Sequence, residues 1–260
     1  MSDSLGTAYP FQPDDGRVVI VTGSARGLGR AFSEMFARDG FRVALCDVNG
    51  EGAQRTADEI SSSGGLALGF ACDVTDASST EQMARRVIDE WGVIDVLVNN
   101  AGLYGDHHFD PVLETEPDYW DTVLAINLKG PLLCSRAVAP YMKRQTRGRI
   151  VNISSMGAYI LGGVYSISKL ALNHLTWSLA SELGAFGITV NAVGPGTMDV
   201  PSAHRQNTPE DLEDRAARSM IKRIGKPLDI YAAIRYFASD AAEWCTGQTL
   251  LVNGGFNVHI

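Results

Sequence analysis

Short runs of β-branched and apolar residues, each followed by a longer amphipathic stretch, recur along the whole chain. This alternation is what most constrains the fold. The runs are Arg17–Thr22, Arg42–Asp47, Leu66–Cys72, Val96–Val98, Arg149–Ser154, Ile188–Val193 and Thr249–Val252. Most are apolar throughout rather than alternating, so they read as strands of a parallel sheet buried on both faces. Between them, Gly27–Arg38, Glu51–Ser61, Ser78–Trp91, Asp118–Gln145, Tyr165–Leu183 and Leu228–Ser239 read as helices. Capping residues such as Ser78 stand at the starts, and Gly40, Gly64, Gly92 and Gly184 mark the stops. The pair Gly130–Pro131 predicts a break or bend in the long fourth helix. Seven strands alternating with helices predict an α/β fold: a single doubly wound domain with helices on both faces of a seven-stranded parallel sheet. The domain spans 16–260 behind a polar N-terminal extension, 1–15, and one sheet of this kind accommodates the 260 residues.

Composition removes several functions. The formal charge of −8 gives no global field for holding phosphate backbones, which excludes nucleic acid as the expected partner. No apolar run reaches the roughly 18–20 residues of a membrane span, and the first residues lack the basic-then-apolar pattern of a secretion signal. Cys46, Cys72, Cys134 and Cys245 are widely spaced and form no C-x-x-C pair, so neither a disulfide framework nor a metal site is expected. His107–His108 reads as a loop pair, because adjacent histidines point different ways. A reduced, cytoplasmic setting is the expectation.

The first strand runs into Thr22-Gly23-Ser24-Ala25-Arg26-Gly27-Leu28-Gly29, and a helix follows. Glycines let a backbone turn sharply and approach a pyrophosphate, and a helix N-terminus offers free N–H groups with a positive dipole end. Asp47 ends the second strand, 18 residues after Gly29. A carboxylate there accepts both hydroxyls of an adenosine ribose and repels a 2′-phosphate, which favours NAD over NADP. The plain alternative for Asp47 is a helix cap. Arg26 beside the loop is the cation that a 2′-phosphate would use, so NADP stays open.

Tyr165 and Lys169 stand four residues apart at the start of a helix, on one face of it. A tyrosine hydroxyl titrates near 10, poorly suited to proton transfer at neutral pH, and a neighbouring ammonium lowers that value. Lysine is scarce: five of the 22 basic residues. The helix follows the fifth strand, so the pair lies by the sheet edge where cofactors bind.

From about Gly16 onward the chain resembles the short-chain dehydrogenase/reductase family in its classical form, which has a Rossmann-like fold. The motifs in order are Thr22-Gly23-x-x-x-Gly27-x-Gly29, Asp73-Val74, Asn99-Asn100-Ala101-Gly102, Asn127, Ile153-Ser154-Ser155, Tyr165-x-x-x-Lys169, Pro195-Gly196, Thr246-Gly247-Gln248 and Val252-Asn253-Gly254-Gly255. The resemblance implies an oxidoreductase interconverting a secondary alcohol and a ketone with NAD, NADP being the less favoured cofactor. Tyr165 is then the acid or base, and Lys169 tunes it and bonds the nicotinamide ribose. Ser155 holds the substrate oxygen, with Ser154 as the alternative, and Asn127 supports a proton-relaying water. The cofactor would lie along Gly23, Ser24, Arg26, Gly27, Leu28, Gly29, Asp47, Asp73, Val74, Asn100, Ala101, Gly102, Tyr165, Lys169, Pro195, Gly196 and Met198, with no metal. The resemblance also implies a homotetramer or dimer acting on a small molecule, and a substrate-covering lid over about 197–220.

Two departures are visible. Ser155 precedes Tyr165 by ten residues, which is shorter than usual for the family and remodels the pocket wall at 156–164. Val200 stands where the family commonly has a threonine, so Thr197 or Ser202 would supply that hydroxyl. Two other readings use the same features. One is a non-catalytic dinucleotide-binding sensor or scaffold. The other is an epimerase or dehydratase, for which the chain leaves little room.

Overall fold

The computed structural model describes residues 16–104 and 111–257. Its strands are β1 (Val18–Thr22), β2 (Arg42–Asp47), β3 (Leu66–Ala71), β4 (Val96–Asn99), β5 (Gly148–Ile153), β6 (Ile188–Pro195) and β7 (Thr249–Val252). All pair in parallel, in the order β3-β2-β1-β4-β5-β6-β7. The α-helices are α1 (Gly27–Arg38), α2 (Gly50–Ser62), α3 (Ala77–Trp91), α4 (Pro117–Leu124), α5 (Gly130–Gln145), α6 (Val164–Leu183), α7 (Pro201–Gln206), α8 (Pro209–Arg218) and α9 (Pro227–Ala238).

The strands are apolar on both sides because both sides are covered. Every residue of β1 is buried. Val19 and Val21 point into a core completed by Phe32 and Phe36 of α1 and by Ile234 and Phe237 of α9. Val18 and Ile20 point the other way, into a core with Met83 and Val87 of α3, Cys134 and Val138 of α5, and Leu179 of α6. Period-two alternation along one strand thus fills two separate cores.

The predicted break in the fourth helix falls one turn earlier than its glycine and proline. A π-helical turn, Ala125–Lys129, joins α4 to α5 and ends where Gly130 and Pro131 begin α5. The polar segment after β6 has no strand pattern, yet it holds two helices. Thr208 caps α8 reciprocally with Asp211, and Pro209 occupies its first position. The four cysteines are free thiols. No helix among the described residues is long and apolar enough to cross a membrane.

One polar contact crosses the apolar layer between α1 and α9. Asp39, 1% exposed, accepts through Oδ2 from the Tyr231 hydroxyl at 2.6 Å and from Arg235 Nε at 3.0 Å. A buried hydrogen bond to a charged group contributes roughly 1.5–3 kcal/mol. Tyr231→Phe should therefore lower the unfolding free energy by about that amount in urea titrations. A loss below about 0.5 kcal/mol would show that the contact adds nothing beyond packing.

Candidate active site

Four strands end side by side at the sheet's reversal point: β1 at Thr22, β4 at Asn99, β5 at Ile153 and β6 at Pro195. Ligands of doubly wound sheets bind in the crevice outside these carboxyl ends.

The glycine loop leaves β1 with φ of +66° at Gly23 and +59° at Gly27, the left-handed region that suits glycine. Gly23 and Gly29 are also sterically required, whereas Gly27 has open space around it. A Cβ on Gly23 would stand 2.7 Å from the Ala101 Cα, and one on Gly29 would run into the Gly23 carbonyl oxygen. The stretch Asn100–Gly102 braces this loop. Thr22 Oγ1 accepts from the N–H groups of Asn100 (3.0 Å) and Ala101 (2.9 Å). In return, Asn100 Nδ2 donates to the carbonyls of Thr22 (2.9 Å) and Gly23 (3.1 Å). Ser24 is buried and donates to the Cys46 carbonyl at 3.2 Å, tying the loop to β2. Arg26 is exposed at the N-cap of α1, and no side chain caps that helix. Its first N–H groups are therefore left without a side-chain cap.

Asp47 lies against the same loop. Its Oδ2 accepts from Ala25 N at 3.0 Å and its Oδ1 from Asn49 N at 2.9 Å. The cap of α2 is Asn49, whose side chain accepts from Gly52 N, so Asp47 is not the helix cap. Farther along the edge, Asp73 accepts from the N–H and hydroxyl of Thr75, and Val74 is buried.

The polar cluster sits between α6 and the ends of β4 and β5. Tyr165 is in the first turn of α6, and Lys169 follows one turn later. Lys169 Nζ donates to the Ile153 carbonyl at 2.9 Å and stands 5.7 Å from the centre of the Tyr165 ring. The Ser155 side chain accepts from Gly157 N at 2.9 Å and hydrogen-bonds Tyr165. Ser154 turns away: it is buried and donates to the Lys169 carbonyl at 3.4 Å. Asn127 lies in the π-helical turn, a distortion found often at functional sites. Its Oδ1 accepts from Leu103 N at 2.7 Å, while Nδ2 donates to the Leu103 carbonyl and to Ser168 Oγ. Gly102 lies beside both: a Cβ there would stand 3.4 Å from Asn127 Oδ1 and from Lys169 Nζ, in ordinary van der Waals contact.

Burial dominates the electrostatics. It pushes the Tyr165 phenol well above its ordinary range, and the Ser155 hydrogen bond pulls it partly back. Burial also pushes the Lys169 ammonium down to about 8. The lowering of Tyr165 that the four-residue spacing predicts does not prevail here, because desolvation outweighs it.

A cavity of about 230 Å³ opens at this cluster, bounded by Tyr104, Ser155, Tyr165, Gly196, Thr197, Met198 and Val200 among others. Its far side holds an orphan group: Thr197 Oγ1 is buried and has no partner among the described residues. Val200 contributes apolar wall, and the side chain of Ser202 lies outside the described residues. So do His107 and His108; among the described residues no metal-binding cluster occurs. Sequence reasoning missed Thr22, although its hydroxyl at a strand end before glycines was a usable signal. Tyr104, whose ring meets Tyr165 edge-on at 5.0 Å, and Arg215, which lines the cavity from α8, fall within stretches expected to wall the pocket, 103–109 and 197–220, but were not singled out there. Neither carries a local pattern.

Fold and site together define a dinucleotide-binding oxidoreductase: an uncapped helix N-terminus, an acid at the second strand end and a half-buried tyrosine beside a buried lysine share one edge. A family model described as enoyl-(acyl carrier protein) reductase matches residues 23–257. Sorbitol dehydrogenase of Cereibacter sphaeroides is 37% identical over 255 residues, covering 93% of this chain and 97% of that protein. An uncharacterised oxidoreductase of Mycobacterium tuberculosis is 38% identical over 242 residues, with the same coverage. The crystal structure of an Agrobacterium tumefaciens protein assigned as a gluconate dehydrogenase superposes with a TM-score of 0.86 at 33% identity, covering 94% of this chain and 97% of that one. The chain belongs to the short-chain dehydrogenase/reductase family, whose members bind nicotinamide dinucleotides.

The steric argument at the glycine loop is open to test. Gly29→Ala should fold but bind NADH at least about tenfold more weakly by fluorescence titration, since overpacking costs roughly 1–3 kcal/mol. Wild-type affinity in that variant would place the dinucleotide elsewhere.

Proposed function

We propose that the protein is an NAD-dependent dehydrogenase or reductase that interconverts a secondary alcohol and a ketone, with Tyr165 as its acid and base. The observation that carries this reading is Tyr165, half-buried and bonded to Ser155, lining a cavity that Pro195–Met198 also line. The residues present suit the dinucleotide. The glycine loop and the N-terminus of α1 would hold the pyrophosphate, and Asp47 the adenosine ribose. Asp73 and Val74 would flank the adenine, and Asn100, Ala101 and Gly102 would line the groove. The unpartnered Thr197 hydroxyl suits a carboxamide, beside Pro195, Gly196 and Met198. A bound nicotinamide supplies or accepts the hydride.

Around it, the chain handles the proton. In reduction, Ser155 holds the carbonyl oxygen and Tyr165 gives its hydroxyl proton to that oxygen as the new C–H bond forms. In oxidation, the phenolate takes the proton from the alcohol as the hydride departs. Lys169 is the cation nearest the phenolate and bonds the nicotinamide ribose. Asn127 and Lys169 face one point beside Gly102, which supports a proton relay from solvent to the pair. Residues 197–220 would cover the substrate.

Two supplementary readings follow. Ile167, Leu170 and Trp177 leave an apolar stripe on the outer face of α6, which suits contact between subunits of a homotetramer in a reduced, cytoplasmic setting. Light scattering should then give about four times 28.0 kDa; a single-chain mass would remove that reading. Reduction of a C=C bond is the competing reaction, because the matching family model is described as an enoyl reductase.

The tests separate these. With NADH and a panel of ketones and enoyl thioesters, turnover should favour ketones, and Tyr165→Phe should lower kcat/KM by about 10²–10⁴-fold. Near-wild-type turnover in that variant would remove Tyr165 from the chemistry. Tight NADH binding with no turnover of any substrate would favour the sensor. For the cofactor, calorimetry should show NADH bound more tightly than NADPH, with the preference relaxed in Asp47→Ala; tighter NADPH binding would overturn the choice.

A further inference from the structure

The chain carries a net charge of −8, yet no Asp or Glu lines the cavity among the described residues. Its charged lining consists of two cations. Lys169 is at the reacting end. Arg215, half-buried in the second turn of α8, is the other.

Arg215 forms no ion pair with the acids around it, although its charge is felt by Asp211. Asp211, one turn earlier, gives its Oδ2 to the Thr208 N–H and hydroxyl at 2.9 and 2.7 Å. Asp214 pairs with Arg218 at 3.6 Å, and Asp199 with His204 at 2.7 Å. No carboxylate among the described residues comes within the 4.0 Å of an ion pair with Arg215. Asn207, the other polar side chain that α7, α8 and their connection bring to the cavity, has Nδ2 turned to the Ala203 carbonyl at 2.8 Å.

Its position relative to the chemistry is also defined. Tyr104 lies edge-on to Tyr165, with ring centres 5.0 Å apart. The Arg215 charge reaches Tyr104, pulling its phenol down against the larger upward push of burial. Arg215 and Tyr104 thus line the same cavity as Tyr165, with Arg215 close enough to Tyr104 for its charge to be felt there. A half-buried guanidinium in a cavity with low-dielectric walls attracts an anion strongly, and its planar fork matches a carboxylate.

We infer that Arg215 binds a carboxylate on the substrate, so that the enzyme acts on keto acids and hydroxy acids rather than on neutral ketones and alcohols. The inference rests on the cavity being the substrate site of the proposed reaction, and it goes further by naming the substrate class and the residue that selects it.

The test uses NADH-saturated protein and pairs of ketones that differ only in the end group: acetoacetate with acetoacetamide, and levulinate with levulinamide. For at least one pair, wild-type kcat/KM should favour the acid by about tenfold or more, the scale of a charged hydrogen bond. In Arg215→Gln the acid-to-amide ratio should fall to within about twofold of one, with Arg215→Lys intermediate. A wild-type ratio near one, or an equal loss on acid and amide in Arg215→Gln, overturns the inference. So does a tenfold loss of NADH affinity in that variant, which would place Arg215 on the cofactor instead.

If no ketone is turned over, the proposed reaction fails but the anion site is still decided by calorimetry on NAD-loaded protein. Binding of acetoacetate or levulinate in preference to its amide, lost in Arg215→Gln, supports the site. Equal binding of acid and amide, or no binding of either, removes it.

Discussion

The hydroxyl of Thr22 accepts two backbone N–H groups from the turn after β4, and Asn100 returns two bonds to the turn after β1. This stitch lies where the strand order reverses, the one place in a doubly wound sheet where two neighbouring crossovers diverge and leave a crevice. It fixes the glycine loop on the β4 side, while Ser24 and Asp47 tie the loop to β2, since glycine offers little conformational restraint of its own. With it, the loop is held within contact distance of Ala101. The N-terminus of α1 then faces the crevice, and Gly102 is carried to Lys169 and Asn127. Cofactor loop and polar cluster are therefore one assembly, coupled through a threonine and an asparagine.

Burial is the second constraint, and it sets the chemistry. Tyr165 and Lys169 are both desolvated, which favours the neutral form of each. A neutral phenol is a proton donor, the form needed for ketone reduction. The phenolate needed for oxidation is costly in this setting until something compensates it. Ser155 supplies one hydrogen bond, and the Lys169 ammonium is the nearest cation available. The ammonium is engaged with the Ile153 carbonyl, so the strand end positions it as much as α6 does.

The strands were legible because a parallel sheet buried on both faces leaves an unmistakable run of apolar residues. Expected and observed strands differ by no more than two residues at either end, as with Ile188–Pro195 against the expected Ile188–Val193. The long helix was legible as a whole, but its π-helical turn was not. Ala125–Lys129 has no breaker of its own, and its distortion follows from Asn127 bonding both Leu103 and Ser168. Helix α8 was readable in principle from Thr208-Pro209-Glu210-Asp211, although its amphipathic signal is reduced to one buried residue, Leu212. Among site residues, those tied to a local pattern were found: glycines before a helix, an acid ending a strand, a tyrosine one turn before a lysine. Tyr104 and Arg215 lie in segments expected to wall the pocket, but were not singled out because only tertiary packing brings those two side chains to the cavity. The direction of the Tyr165 shift was misjudged for a related reason. Spacing reveals a neighbouring charge, whereas burial depends on everything else that packs around the pair.

The central claim is that a desolvated Tyr165 transfers the proton and depends on the charge of Lys169. Its most direct test is the pH dependence of kcat for alcohol oxidation, in wild type and in Lys169→Met, at saturating cofactor. Burial raises Tyr165, so the phenolate is scarce at neutral pH and the wild-type rate should climb as pH rises. Lys169, pushed down to about 8, carries its charge mainly below that pH, where it favours the phenolate. Removing it should lower the rate at neutral pH, where the charge is present, and change the rate little well above pH 8. Equal rates at neutral pH in both proteins, or a wild-type rate indifferent to pH, would contradict the account.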